Sequence, residues 1–320
     1  MSLIEQAAQR LEQLRKAGAE IPGDDSEPVA HAQTEVRVAG AAPAPVAAKE
    51  EAVAPQGVAT VAANAGASSA PLSKFVNVDL DRLAAAGIIA SNTIRSQLAD
   101  EFRLIKRPLI TNALGKGAAP IRNGNLIMVT SALPGEGKSF TALNLAMSIA
   151  TEMDTTVMLV DADVARPSLL NMLSLPPASG LLDVLLDGSL DLSSVLLRTN
   201  VEKLTLLPSG TPHLRATELL ASDAMERLLE DMASRYPDRI IIFDSPPLLL
   251  TTESRALASH MGQIVVVVHA EKTLHGEVKQ ALAAIESCPV KLMLLNKSRA
   301  AGAEGYGYGY GYGYGYGHER

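Results

Sequence analysis

The chain has 320 residues, of which 47% are hydrophobic but only 3% aromatic, with no tryptophan, so any core it builds is aliphatic. A formal net charge of −7 argues against nucleic acid as a default partner. The single cysteine, Cys288, excludes an internal disulfide and suits a reducing cytoplasm as a packing residue. No apolar run nears the ~18 residues of a membrane span, the acidic N-terminus is no signal peptide, and the six histidines show no metal-ligand spacing.

Over residues 1–20, Leu3, Ile4, Ala7, Ala8, Leu11 and Leu14 recur at helical spacing between charged side chains, predicting an amphipathic helix. Residues 21–73 are rich in Ala, Pro and Val without a lasting apolar period. Such a segment buries too little surface to offset ordering and reads as a flexible linker. A helix tethered this way serves a partner more often than a core.

Residues 74–300 read as one folded domain. Phe75 to Ile89 predicts an extended lead-in and a short helix stopped at Gly87. A second helix is expected over Asn92 to Leu109, with Asp100, Arg103 and Lys106 sharing one face at i, i+3 and i+6. Pro108 is expected to end or kink it. A solvated charged face is the plain alternative for those three residues.

The organising stretch follows. Asn125 to Thr130 is an apolar strand pattern, Ser131 to Thr141 reads SALPGEGKSFT, and a helical pattern continues from there. Strand, glycine-rich turn and helix form the setting of a phosphate-binding loop. Gly135 and Gly137 let backbone N–H groups converge, and the helix adds the positive end of its dipole. Lys138 can reach β- and γ-phosphates, and the Ser139 hydroxyl can ligate Mg²⁺. Ala132 stands where the strict pattern has its first glycine.

Thr156 to Asp161 (TVMLVD) is a buried-strand run leading into DADVARP, residues 161–167. Arg239 to Asp244 (RIIIFD) is another, followed by Ser245, Pro246 and Pro247. Each run puts a carboxylate at the carboxyl end of a strand, the edge where open parallel sheets bind ligands. Asp161, Asp163 and Asp244 beside a phosphate loop predict a Mg²⁺–nucleotide site.

Between and after these come a helical SGLLDVLLDG, a strand near 204–210, a long helix from Ala216 to Arg235, and QIVVVVHA, whose valine run marks a central parallel strand. A helix from Leu274 to Glu286 and the strand VKLMLLNK close the domain at Asn296 and Lys297. Strands alternating with helices predict a doubly wound, mainly parallel α/β sheet of the P-loop NTPase type. Residues 301–320 form a tail in which Gly305 to Gly317 alternates glycine with tyrosine. Extended, they would space the phenols by ~6–7 Å.

PGEGKS, DADVARP and RIIIFDSPP together resemble the bacterial tyrosine kinases, a family that adapted a P-loop ATPase core to phosphorylate tyrosine. The resemblance runs from about Asn92 to Arg320 and includes the tyrosine-rich tail. More narrowly, the opening MSLIEQAAQRL and the EFRLIKRPL segment resemble the cytoplasmic autokinases of exosortase-linked exopolysaccharide loci.

The resemblance implies ATP and Mg²⁺ as cofactors. Pro134, Gly135, Glu136, Gly137, Lys138, Ser139 and Phe140 would hold the nucleotide, and Ser139, Asp163 and Asp244 the metal. Asp161 would accept the tyrosine proton, Asp163 would assist Mg²⁺ or orient the acceptor, and Lys138 and Arg166 would help with phosphate charge; a second arginine often found at position 165 is Ala165 here. Tyr306, Tyr308, Tyr310, Tyr312, Tyr314 and Tyr316 would be the phosphoacceptors. Asp100, Arg103 and Lys106 stand where the family has Glu-x-x-Arg-x-x-Arg, its contact between subunits of a ring, although lysine cannot make arginine's bidentate fork. Asn296 is expected either to contact adenine or merely to cap a loop. A membrane polysaccharide co-polymerase as activator and a phosphotyrosine phosphatase are the implied partners, with a cytoplasmic location against the inner face of the plasma membrane and a role in exopolysaccharide chain-length control and export. Two other readings stay open: a partitioning-type ATPase, whose signature lysine would occupy position 133, and a nucleotide-dependent scaffold with an adhesive tail.

Overall fold

Unbroken aliphatic runs have no polar face to offer water, so they are stable as strands covered on both sides. The computed structural model of the protein describes residues 73–90, 96–235 and 238–298, and there these runs form the middle of an eight-stranded sheet. The strands are β1 (Lys74–Val76), β2 (Leu126–Ser131), β3 (Thr156–Asp161), β4 (Leu197–Thr199), β5 (Leu204–Leu207), β6 (Arg239–Asp244), β7 (Gln263–His269) and β8 (Val290–Asn296). Their order is β1-β4-β5-β3-β6-β2-β7-β8, and every pair is parallel except β4 with β5. The expected doubly wound α/β architecture is what the chain adopts.

The two-residue period of a strand sends alternate side chains to opposite cores. Ile127 and Val129 join one core, with the helices Gln97–Ala113 and Lys138–Ala150; Leu126 and Met128 join the other, with Leu181–Leu186, Asp223–Arg235 and Glu253–Ala258. Phe243 and Ile242 divide the same way on β6. Because β6 lies between β3 and β2, the carboxyl ends of all three strands open side by side. That adjacency positions the site.

Several details depart from expectation. Pro108 lies inside the helix Gln97–Ala113 and does not end it. The carbonyl its missing N–H leaves free belongs to Leu104, a solvent-exposed residue, so the proline costs little there. The long helix expected from Ala216 to Arg235 is two, Ala216–Leu220 and Asp223–Arg235. Ser222 divides them: its N–H bonds back to Leu219 O, and its own carbonyl accepts from Met225 and Glu226. The valine-rich β7 is flanked on both sides but is next to last in the sheet. Neither β4 nor its parallel pairing with the three-residue β1 was foreseeable from periodicity, both being too short to show one. The helix expected over residues 1–20, residues 21–72 of the expected linker and the 301–320 tail with its six tyrosines lie outside the described residues.

Candidate active site

β2 delivers the chain into a turn that reverses at Gly135 (φ 79°) and Gly137 (φ 103°), conformations open to glycine at little cost. Gly137 is the N-cap of the helix Lys138–Ala150, whose residues 141–150 are all buried, so the loop sits on an anchored base. Ala132, in place of the pattern's first glycine, is completely buried and its methyl packs into the core. The backbone there stays at negative φ, which is why alanine is accommodated. Phe140 packs its ring against the core containing the loop's helix.

Lys138 is held within the chain. Its Nζ lies 2.7 Å from Asp163 Oδ2, and the pair is largely shielded from solvent. Asp163 Oδ1 accepts from the Arg166 N–H at 3.2 Å, which shapes the DADVARP turn, while Arg166 itself is exposed. Lys138, Ser139, Asp163 and Arg166 share a cleft of about 450 Å³ with Pro247 and Leu250.

Asp161 and Asp244 end β3 and β6 and are register partners across them. Asp161 Oδ2 accepts from the N–H groups of Ser168 (3.1 Å) and Leu169 (3.0 Å); its Oδ1 and both oxygens of Asp244 are buried without a hydrogen-bond partner. Burial pushes the Asp161 carboxyl up to about 6, against the pull of those two N–H groups. Burial likewise pushes Asp244 up to about 7, opposed by the Lys138 ammonium and the Ser139 hydroxyl nearby. The two orphaned oxygens of Asp244 are what a cation would satisfy, and Asp161 Oδ1 beside them is left free to take a proton. Among the described residues no group of three or more His, Cys, Asp or Glu side chains forms a metal cage. The hard oxygen donors at hand, the Asp244 carboxylate with the Ser139 hydroxyl nearby, fit Mg²⁺, which keeps waters and phosphate oxygens among its ligands.

Asn296 spends its amide on the loop: Nδ2 donates to Glu136 O at 2.8 Å, and Oδ1 accepts from the Lys297 N–H at 2.8 Å. In this structure it positions the loop and caps its own turn. Glu136 turns its carboxylate away from the cleft into the protein, where it is buried.

The trio on the helix Gln97–Ala113 separates. Asp100 and Arg103 form an exposed ion pair with each other. Lys106, expected beside them as an intersubunit contact, is instead turned into the protein and only 2% exposed. Its Nζ bonds Glu152 Oε1 (2.8 Å), Ser148 O (2.5 Å) and Thr151 Oγ1 (3.1 Å), fastening this helix to the end of the loop's helix. Six residues of helix advance the third position well round from the first, and that rotation carries Lys106 into the protein. Sequence reasoning also missed Thr273 and Lys297, which hold the loop from segments over 130 residues away.

The family described as an AAA domain matches residues 124–295, just over half the chain. The tyrosine-protein kinase YwqD of Bacillus subtilis (strain 168) is 32% identical over 206 residues, covering 64% of this chain and 83% of that protein. The tyrosine-protein kinase ptk of Acinetobacter johnsonii is 35% identical over 181 residues, 56% of this chain; the chain spans only 24% of that relative. Among solved structures, the chimerical protein CapA2B2 superposes with a TM-score of 0.54 at 26% identity, covering 70% of this chain and 93% of that one. The kinase domain of the Escherichia coli tyrosine kinase ETK shares the fold, with a TM-score of 0.55 at 21% identity over 73% of this chain and 95% of its own.

Proposed function

The chain belongs to the bacterial tyrosine kinases, and from that premise we propose that it transfers the γ-phosphoryl of ATP to the tyrosines of its own tail, Tyr306 to Tyr316. The observation that carries the reading is the convergence of Lys138, Asp161, Asp163 and Asp244 beside one glycine loop at a single sheet edge. A second observation supports the tail as acceptor. The last strand ends at this same edge, and Lys297, immediately after it, already hydrogen-bonds the loop at Gly135 O.

In the proposed reaction the tyrosine oxygen bonds to the γ-phosphorus as the bond to the β–γ bridging oxygen breaks, releasing ADP. The phenolic proton passes to Asp161, whose Oδ1 has no other partner and whose raised pKa suits a base working near neutrality. Lys138 leaves Asp163 for the phosphates, and with the loop N–H groups it stabilises the charge that builds there. Ser139, Asp163 and Asp244 would hold Mg²⁺, which when bound supplies further charge neutralisation. Arg166, exposed and lining the same cleft, would help with phosphate charge. Leu133, at the place of the partitioning ATPases' signature lysine, packs against the core, so that reading gains nothing.

The wider reading is a homo-oligomer, a ring in which each tail reaches a neighbour's site through the Asp100–Arg103 face. A membrane polysaccharide co-polymerase would activate it and hold it at the inner face of the plasma membrane, a phosphotyrosine phosphatase would reset it, and exopolysaccharide chain length and export would be the output. Incubating pure protein with ATP and Mg²⁺ and mapping phosphotyrosine tests the core of this. Modification confined to the tail supports it; nucleotide binding with no phosphotyrosine leaves a scaffold instead.

A further inference from the structure

The phosphate loop is fastened on the side away from the cleft, and the fastener centres on Glu136 and Thr273. Glu136 Oε2 accepts from the Leu133 N–H at 2.7 Å, closing the loop's first turn. Its Oε1 accepts from the Thr273 hydroxyl and, at 3.5 Å, from the His269 N–H. The Thr273 oxygen in turn accepts from His269 N–H at 3.1 Å. One carboxylate, only 3% exposed, thus ties the loop to the turn after β7.

The end of β8 adds a second tie. Asn296 Nδ2 donates to Glu136 O and Lys297 Nζ to Gly135 O, at 2.8 and 2.7 Å. A Cβ at Gly137 would collide with Asn296 Nδ2, so this strand end rests directly on the loop's last glycine. Each fastening segment contains a non-glycine residue in the left-handed region, Glu271 (φ 62°) and Lys297 (φ 57°). Such conformations persist where the surroundings over-determine them.

We propose that Thr273 is a positioning residue for nucleotide binding: through Glu136 it keeps the loop's N–H groups converged before phosphate arrives. The proposal rests on the nucleotide reading above. A buried carboxylate beneath an anion-binding loop is electrostatically adverse to phosphate. Its charge is tolerable because the N–H and hydroxyl donors absorb it, and charge-assisted bonds of this kind are the stronger ones. Two hypotheses then predict opposite signs. If Glu136 acted only through its charge, Glu136→Gln would tighten nucleotide binding. If it acts as the latch, the glutamine amide confronts donors on one side and binding weakens.

The test uses the full chain, a fluorescent ATP analogue with Mg²⁺, and four variants: Thr273→Val, Thr273→Ser, Glu136→Gln, and Thr273→Val combined with Glu136→Gln. Thr273→Val keeps the shape and removes the hydroxyl, so the Kd should rise about tenfold, the size expected for one bond to a charged group. Thr273→Ser should restore parent affinity. The double variant should be no weaker than the worse single one, because both break one latch. In autophosphorylation KM for ATP should rise while kcat at saturation changes less. Parent affinity in Thr273→Val, or additive effects in the double variant, overturns the latch while leaving the kinase reading intact. A parent chain that binds no nucleotide overturns the kinase reading itself, and the latch with it.

Discussion

Asp161 and Asp244 stand side by side as register partners at the carboxyl ends of β3 and β6, and three of their four carboxylate oxygens are buried with no hydrogen-bond partner. Burial holds both carboxyls above their ordinary value of 3.8, at about 6 and about 7. In metal-free protein the folded state therefore binds more protons than the unfolded chain across this range. Their contribution favours folding below pH ~4 and is lost as pH rises through about 6 and 7.

Asp244→Asn removes the larger part of that dependence. In chelator, its melting temperature relative to the parent should climb between pH 5 and pH 8, while added Mg²⁺ and nucleotide should rescue only the parent at pH 8. A gap between the two proteins that stays constant with pH would show that Asp244 is ionised throughout.

The Lys138–Asp163 pair makes a second prediction. Lys138→Met should abolish tail phosphorylation and also destabilise the nucleotide-free protein, since Asp163 is left buried without its cation; such losses run to about 3 kcal/mol or more. Adding Asp163→Asn should recover much of the stability and none of the activity. Thermal melts with a phosphotyrosine blot read both, and a Lys138→Met chain as stable as the parent would refute the pairing argument.

Much of this site is legible in the sequence. Aliphatic runs ending in Asp161 and Asp244 announced parallel strands, because a buried strand needs no polar alternation, and the glycines at 135 and 137 announced the turn. Other features were hidden for physical reasons. Ser222 breaks a helix that hydrophobic spacing alone would continue. Lys106 looked like a surface charge until folding brought Glu152, Ser148 and Thr151 around it. Thr273 is an ordinary turn residue whose partner, Glu136, lies 137 positions away. Long-range pairing of that kind leaves no local trace.

The fate of Lys106 separates two roles on one helix. Lys106→Met should lower stability by about 2–3 kcal/mol, because it removes a buried cation with three acceptors. Arg103→Glu, at an exposed position, should leave the melt nearly unchanged yet yield monomers in light scattering. If Arg103→Glu assembles like the parent, the Asp100–Arg103 face is not the contact between subunits.

Transfer between subunits has its own test. A Lys138→Met chain with an intact tail should be phosphorylated by an active chain lacking residues 305–320, since a fully extended tail of roughly 50 Å is long enough to enter another chain's site. Six phosphotyrosines would add about −9 to −12 charges, so modification should also dissolve the assembly. Label found only on chains carrying both a live site and a tail would establish transfer within one chain.

A kinase site of this kind would spend ATP on tail tyrosines and not on water. Counting ADP released against phosphotyrosine formed, over a full time course of the pure protein with ATP and Mg²⁺, tests it most directly. One ADP should appear per phosphotyrosine, with a plateau near the six acceptors of the tail and neither product from Lys138→Met. ADP that keeps accumulating while phosphotyrosine stays absent, or that accumulates equally in a chain without residues 305–320, would contradict it.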